Sequence, residues 1–277
     1  MTALDIVVRD IDGQAEIRAV EELQKEVWGL PDLDVVPLTQ LVAAKASGGA
    51  LIGAFDNKKL IGFAYGFAGF EHGRATHHSH MLAVNPAYRN HSVGYRLKRA
   101  QRDRVLAHGI SEMTWTFDPL QSMNAYFNFN RLGVVSDRYL IDFYGSDAPS
   151  FLHRNGTDRL WVTWQLASRH VVERLEGSVN DPVSEARKAL VEVDDHGSPL
   201  LCDFDLTNAG DQVSIEIPSE IGLIEEQDRK IASAWRKATR TAFSTAFSAG
   251  YSAIEFIRGH RAGRYVLRRQ IAGGGFM

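Results

Sequence analysis

The chain has 277 residues, of which 44% are apolar and 23% charged, a globular mixture long enough for one large domain and a smaller one. A formal net charge of −3 with interspersed signs excludes the basic footprint of a nucleic-acid binder, so no nucleic-acid partner is expected. A single cysteine, Cys202, excludes an internal disulfide, and neither a basic-then-apolar leader nor a bilayer-length apolar run is present, which predicts a cytoplasmic protein with no membrane partner.

Residues 6–8 predict a short strand, after which Ile17, Val20, Leu23, Val27 and Trp28 recur at helical spacing until Gly29 and Pro31 end the run. A second helix is expected over 38–44. Residues 51–55 and 60–70 predict strands joined by Asp56-Asn57-Lys58-Lys59, which has turn chemistry. Another strand spans 75–84 and stops at Asn85-Pro86, because proline pushes its predecessor out of helical geometry and has no N–H for a ladder. A helix over 95–107 ends near Gly109, a strand over 113–117 precedes Asp118-Pro119, and a short helix over 124–132 closes at Gly133. Strands are expected at 139–144 and 160–166. A helix from 167 to 180 then leads to Asp181-Pro182, read as a unit boundary. Beyond it lie strands near 200–204 and 213–217, a long helix over 225–248, a strand pair near 251–257 and 265–269, and a frayed Gly-rich end at 272–275.

The segment richest in chemistry is Met81-Leu82-Ala83-Val84, Asn85-Pro86-Ala87-Tyr88, Arg89-Asn90-His91-Ser92-Val93-Gly94 and the helix that follows. The first amides of a helix lack intrahelical partners and point out of its positive end, so a strand-loop-helix with small residues at the turn is an anion cradle. Gly94 admits close backbone approach and Arg89 supplies charge. The same residues also read as a serine-capped helix after a proline turn, with no ligand.

This segment resembles the coenzyme A signature of the GNAT superfamily of acyl-CoA N-acyltransferases. Arg89 matches the signature's first residue and Gly94 its last, while Ser92 stands where a glycine is usual. The element order over residues 1–166 is similar to the GNAT fold, and Trp115-Thr116-Phe117-Asp118-Pro119-Leu120, Asn124-Ala125, Asn128, Leu132-Gly133, Asp142-Phe143-Tyr144-Gly145 and Asp158-Arg159 resemble a subfamily with a C-terminal extension. The resemblance implies an α+β fold with a central, mostly antiparallel sheet flanked by helices, and a smaller C-terminal α+β unit. It implies an acyltransferase domain over 1–166, a linker helix over 167–189 and the extension over 190–277. It further implies acetyl-CoA or another short-chain acyl-CoA as co-substrate, no metal, and an amine acceptor, with a small molecule such as an amino acid leading. Coenzyme A would lie along Leu82, Ala83 and Val84, in the loop of Arg89, Asn90, His91, Ser92, Val93, Gly94 and Tyr95, and near Asp118 and Asn124.

Acyl transfer to an amine needs oxyanion stabilisation, a base for the ammonium and a proton for the departing thiolate. In the family a tyrosine four residues before the closing glycine supplies that proton, and here the position is Phe129. Tyr126, one turn earlier, and Asn128 are the substitutes within reach, unless the thiolate leaves unassisted. Strand alternation sets Thr76, His78 and His80 on one face and His77 and Ser79 on the other, which makes His78 and His80 the candidate bases. Their alternatives are a solvated strand face, core hydrogen bonding, or a zinc pair short of further ligands.

Asp118 is read either as orienting the acceptor or coenzyme A, or as an Asp-Pro turn. Trp28, Tyr139 and Tyr144 are pocket candidates that equally suit the core, and Arg131, Arg138 and Arg159 are candidate cations for a dicarboxylic acyl donor. Trp235, Arg236, Thr239, Arg240 and Phe243 share a half-basic, half-apolar helix face, which is to dock on the first domain or a second subunit, or to lie solvated with its apolar side inward. A homodimer is expected. The competing reading of the whole chain is an acyl-CoA sensor or scaffold without turnover.

Overall fold

The computed structural model describes residues 5–145, 155–177 and 188–269. They form two compact units, one running from the N-terminus through Trp115 and one built by the chain from Thr116 onward.

The first unit contains β1 (Ile6–Asp10), α1 (Gly13–Trp28), α2 (Leu38–Ala46), β2 (Ala50–Asp56), β3 (Lys59–Glu71), β4 (Arg74–Val84), α3 (Val93–Ala107) and most of β5 (Glu112–Phe117). The strands lie in chain order, with antiparallel pairs from β1 to β4 and a parallel β4–β5 pair. Gly29 stops α1 in the left-handed region at φ 61° and returns its N–H to the Lys25 carbonyl, a conformation that glycine enters without a Cβ clash. Ile17, Val20 and Leu23 of α1 and Leu41 of α2 pack on Leu51, Phe55, Phe63 and Tyr65. Val93 and Leu97 of α3 cover Ile52, Ala54, Ile61 and Ala64 in a second core. The sheet is thus buried on both faces, and its β2 and β3 read as near-continuous apolar runs for that reason.

The second unit contains α4 (Ser122–Tyr126), a π-helical turn over Phe127–Leu132, β6 (Val135–Leu140), β7 (Arg159–Gln165), α5 (Arg169–Leu175), β8 (Lys188–Val193), β9 (Pro199–Leu201), β10 (Gln212–Pro218), α6 (Ile221–Gln227), α7 (Arg229–Ser248), β11 (Tyr251–Arg258) and β12 (Ala262–Arg269). Its strand order is β7-β6-β11-β12-β10-β8-β9. All pairs are antiparallel except β8–β10. The buried side of α7 carries Trp235, Ala238, Thr239, Ala242, Phe243 and Ala246.

The α+β class and the mostly antiparallel strands agree with expectation, and several boundaries do not. The strand expected over 139–144 is β6, displaced toward the N-terminus. Asp142 takes a left-handed φ of 47° and turns the chain, leaving Ile141, Phe143 and Tyr144 exposed. The helix expected over 225–248 is two helices, because Asp228 leaves helical geometry and caps the second by accepting from the Lys230 and Ile231 amides. Strand β8 was not anticipated, and β9 is shorter than expected. Asp181-Pro182 and the Gly-rich end lie outside the described residues. The compact units divide after Trp115, and the described residues from Thr116 to Leu166 group with the C-terminal ones. Pairing of β6 with β11 and burial of Phe129 against Tyr265 account for that grouping.

Candidate active site

Two departures from regular pairing mark β4. His78 pairs with Phe67 and Met81 with Tyr65, so two residues of β4, Ser79 and His80, stand opposite the single Gly66 of β3. This is a β-bulge, which locally bends a strand and re-aims its side chains. Gly66 has no room for a side chain, since a Cβ there would sit 2.4 Å from His77 Nε2 and 2.6 Å from the His78 carbonyl oxygen. On its other edge β4 pairs with β5 only at His77–Met113 and His78–Thr114 among the described residues, which leaves the edge past the bulge without a β5 partner. Leu82 and Val84 on this stretch are half-buried and Ala83 is buried.

Asn85 ends the strand and accepts a hydrogen bond from the Ala87 amide, which starts a turn over Pro86–Tyr88. Tyr88 donates to Asp56 at 2.8 Å. Arg89, Asn90, His91 and Ser92 are exposed, and Arg89 has no ion pair among the described residues. Asn90 and Ser92 both adopt left-handed backbone, at φ 68° and 56°. Ser92 occupies the place where the signature has glycine, and its conformation shows why, since a Cβ in this region costs about 1 kcal/mol. The expected serine cap is not formed, because left-handed Ser92 directs no side-chain hydrogen bond to the first turn of α3. The leading amides of Val93 and Gly94 therefore receive no cap from the Ser92 side chain, as an anion cradle requires. A Cβ on Gly94 would meet Leu82 and Val84 only at 3.8 Å, so the protein itself leaves space there.

The histidines behind the cradle differ in environment. His77 is buried, with Nε2 3.5 Å from Gln101 Nε2, and desolvation, followed by the nearness of Lys98, pushes its pKa down to about 4. His78 is half-buried, its Nδ1 3.2 Å from Thr114 Oγ1, and desolvation and then His80 lower it to about 4. His80 is exposed, and the rings of Tyr65 and Phe67 beside it displace water and lower its pKa as well. The rings of His78 and His80 lie 6.3 Å apart, so the structure brings together the two histidines expected on one face. No cluster of three metal-ligating side chains occurs among the described residues.

A model of the acetyltransferase (GNAT) family matches residues 16–133, a span that holds the bulged strand, the cradle and the helix behind it. The chain carries a GNAT acetyltransferase domain. The activity of this class is acyl-CoA-dependent N-acyl transfer. Among solved structures, the ribosomal-protein-S18-alanine N-acetyltransferase of Escherichia coli is 11% identical, with a TM-score of 0.47 over 59% of this chain and 95% of that one. A putative acetyltransferase from Salmonella typhimurium with acetyl-CoA is 18% identical, with a TM-score of 0.47 over 60% and 95%. A GNAT family acetyltransferase from Elizabethkingia anophelis with acetyl-CoA bound is 16% identical, with a TM-score of 0.46 over 58% and 98%. Overlaps of this extent assign neither an acceptor nor the role of any residue. No curated protein matches the sequence.

In the second unit the remaining GNAT candidates are sorted by burial. Phe129, at the position of the usual acid, is fully buried between the rings of Phe117 and Tyr265. Asn128 is buried in the π turn, Tyr126 is half-buried under the Arg258 guanidinium, and Asn124 is exposed. Arg236 holds both oxygens of Asp118, at 2.7 and 2.9 Å, and one of them also accepts from the Leu120 amide, so this carboxylate ties α7 to the Asp-Pro turn. Tyr139 likewise stacks on Phe243 and donates to Asp158, whose carboxylate also takes Arg240. Trp28 packs edge-on against Phe63 in the first unit.

Of the cations named for a dicarboxylic donor, Arg131 is exposed, Arg138 lies over the Trp161 ring and Arg159 is buried. The apolar side of this α7 face is packed inward as expected, and its arginines pair with Asp118 and Asp158 inside the unit. A cavity of about 620 Å³ beside it includes Arg229, Ser233 and Lys237. Its two more buried arginines are those already paired. Sequence reasoning missed Lys98 and Gln101, which are buried at 2% and 0% exposure. Their spacing with Val105, three and four residues apart, places them on the apolar stripe of α3, and that was the available signal.

Proposed function

We propose that this GNAT domain transfers an acetyl or other short acyl group from acyl-CoA to the amine of a small molecule, with an amino acid as the leading acceptor. The observation that supports this most is the continuity of an unpartnered strand edge past His78 with a loop whose left-handed residues deliver uncapped helix amides. Leu82, Ala83 and Val84 would run beside the pantetheine arm, the amides of Val93 and Gly94 would hold the pyrophosphate, and exposed Arg89 would add charge. These residues fit the group because the cradle has open amides and no side chain at Gly94.

The reaction is direct. The amine nitrogen bonds to the thioester carbon, the tetrahedral adduct breaks its C–S bond, and the amine's proton and the thiolate's negative charge must both be accommodated. His80 is the better base of the pair, since it is exposed to a substrate and a neutral imidazole accepts a proton at neutral pH. His78, held near Thr114, would keep His80 company without carrying a competing charge. Phe129 has no hydroxyl to act as the usual acid, so the thiolate takes its proton from water.

Thiol release measured with acetyl-CoA and succinyl-CoA over a panel of amino acids and other small amines tests the reading. Turnover with at least one amine is expected, and saturable acyl-CoA binding with no turnover over the panel would replace it with the sensor reading, which buried Phe129 favours. A homodimer belongs to the same proposal and is checked by mass measurement in solution.

A further inference from the structure

Lys98 is a buried amine with no carboxylate partner among the described residues. It lies 2% exposed on the sheet-facing side of α3. Its Nζ donates to Ser79 Oγ at 2.7 Å and sits 3.6 Å from the centre of the Trp115 ring. Ser79 Oγ donates in turn to Gln101 Oε1 at 2.8 Å, and Gln101 reaches toward His77. Placing an amine in an apolar core is unfavourable unless its hydrogen bonds are specific, and burial pushes this one well below the ordinary lysine range. A leucine or methionine would fill the same stripe of α3 without that cost, so the lysine is explained by what it holds.

It holds the bulge. Ser79 is one of the two β4 residues opposite Gly66, and the extra residue of a bulge has lost its regular ladder partner. Two side chains of α3, from Lys98 and Gln101, take the Ser79 hydroxyl inside the core, which directs the next residue, His80, to the exposed side. The same helix begins at Val93 and Gly94 in the cradle.

We propose that Lys98 is a positioning residue for acyl transfer, which through Ser79 fixes the β4 bulge and so locks the strand carrying His80 to the helix whose first amides form the cradle. The proposal rests on the acyl-transfer reading and adds to it a brace inside the first unit. Lys98 touches no substrate in this arrangement.

The test uses the full chain as wild type, Lys98→Met, Ser79→Ala and the double variant. Each single variant is expected to lower kcat about tenfold, since small misplacements of a reacting group carry penalties of that order. KM for acetyl-CoA should stay within about twofold, and thermal stability of Lys98→Met should be unchanged or raised, because an apolar side chain replaces a desolvated amine. The double variant should be no slower than either single one, as two members of one contact are not additive. Unchanged kcat in Lys98→Met, or losses that multiply in the double variant, would overturn the brace. If the wild type shows no turnover, the transfer reading fails instead, and the brace is decided by the amide chemical shifts of Ser79 and His80. Matching shift changes in the two single variants sustain it, and shifts unaltered in Lys98→Met overturn it.

Discussion

Arg89 stands exposed beside a loop of uncapped amides and strained left-handed residues, while Arg236 is buried with both of its terminal nitrogens on Asp118. Burial alone would lower the Arg236 pKa, yet the Asp118 carboxylate holds it above the ordinary range. Asp158 repeats the pattern, with Arg240 and Tyr139 on its carboxylate and a pKa held down against burial by Arg240. At the loop before α3 such a group stands exposed, and along α7 the same kind of group is consumed by the fold. An aspartate at the end of a strand and an arginine on a helix are therefore not site residues by type. Whether their bonds are already spent decides it.

Four perturbations sharpen this contrast. The largest effect belongs to the second unit. Arg236→Met strands the Asp118 carboxylate in a buried position and should destabilise the fold by about 3–5 kcal/mol, read by denaturant unfolding, whereas pairing it with Asp118→Leu should recover most of the loss. Destabilisation of under about 1 kcal/mol in the single variant would mean the pair is effectively a surface one. Next, Gly94→Trp fills the cradle in the space bounded by Leu82 and Val84 and should weaken acetyl-CoA binding by at least about 100-fold, about 2.7 kcal/mol by calorimetry, with the fold retained.

The third perturbation is acid. His77 titrates near 6.5 when unfolded and about 4 when folded, so the unfolded chain binds more protons between those values. Stability attributable to His77 is complete above pH 6.5 and declines as pH falls toward 4, a loss of about 2 kcal/mol by pH 5. His77→Gln should remove that part of the slope in urea midpoints measured from pH 7.5 to 5. The smallest effect is Ser92→Gly, which relieves the left-handed strain at φ 56° and should stabilise the loop by up to about 1 kcal/mol, partly offset by the added freedom of the unfolded glycine. Thermal unfolding of the two proteins side by side measures it, and a destabilised Ser92→Gly would show that the serine contributes a contact of its own.

Much of the first unit was legible in the sequence because its signals are local. Two apolar runs around Asp56-Asn57-Lys58-Lys59 specify a hairpin, and the Asn57 φ of 55° is what that turn demands. The strand, turn and helix that carry Arg89 and Gly94 were legible from Asn85-Pro86 and the apolar run before it. The bulge was not, since nothing in Thr76-His77-His78-Ser79-His80 distinguishes a regular alternation from one with an extra residue, and the distinction is made by Gly66 on another strand. Lys98 and Gln101 escaped notice because a polar residue on a helix is ordinarily counted to its solvent side. In the second unit, apolar Ile141, Phe143 and Tyr144 suggested strand, yet they are exposed around a left-handed aspartate. The fate of Asp118 depended on Arg236, which lies more than a hundred positions along the chain.

The short pairing of β4 with β5 also sets how fast its backbone trades hydrogen with water. Between the bulge and Asn85, the amides of β4 directed away from β3 have no β5 carbonyl to protect them, while those directed toward β3 are held in its ladder. In the free protein this stretch should alternate between quickly and slowly deuterated positions. An occupied acyl-CoA arm along the same edge would silence the quick ones, which makes β4 a built-in reporter of whether the enzyme is loaded.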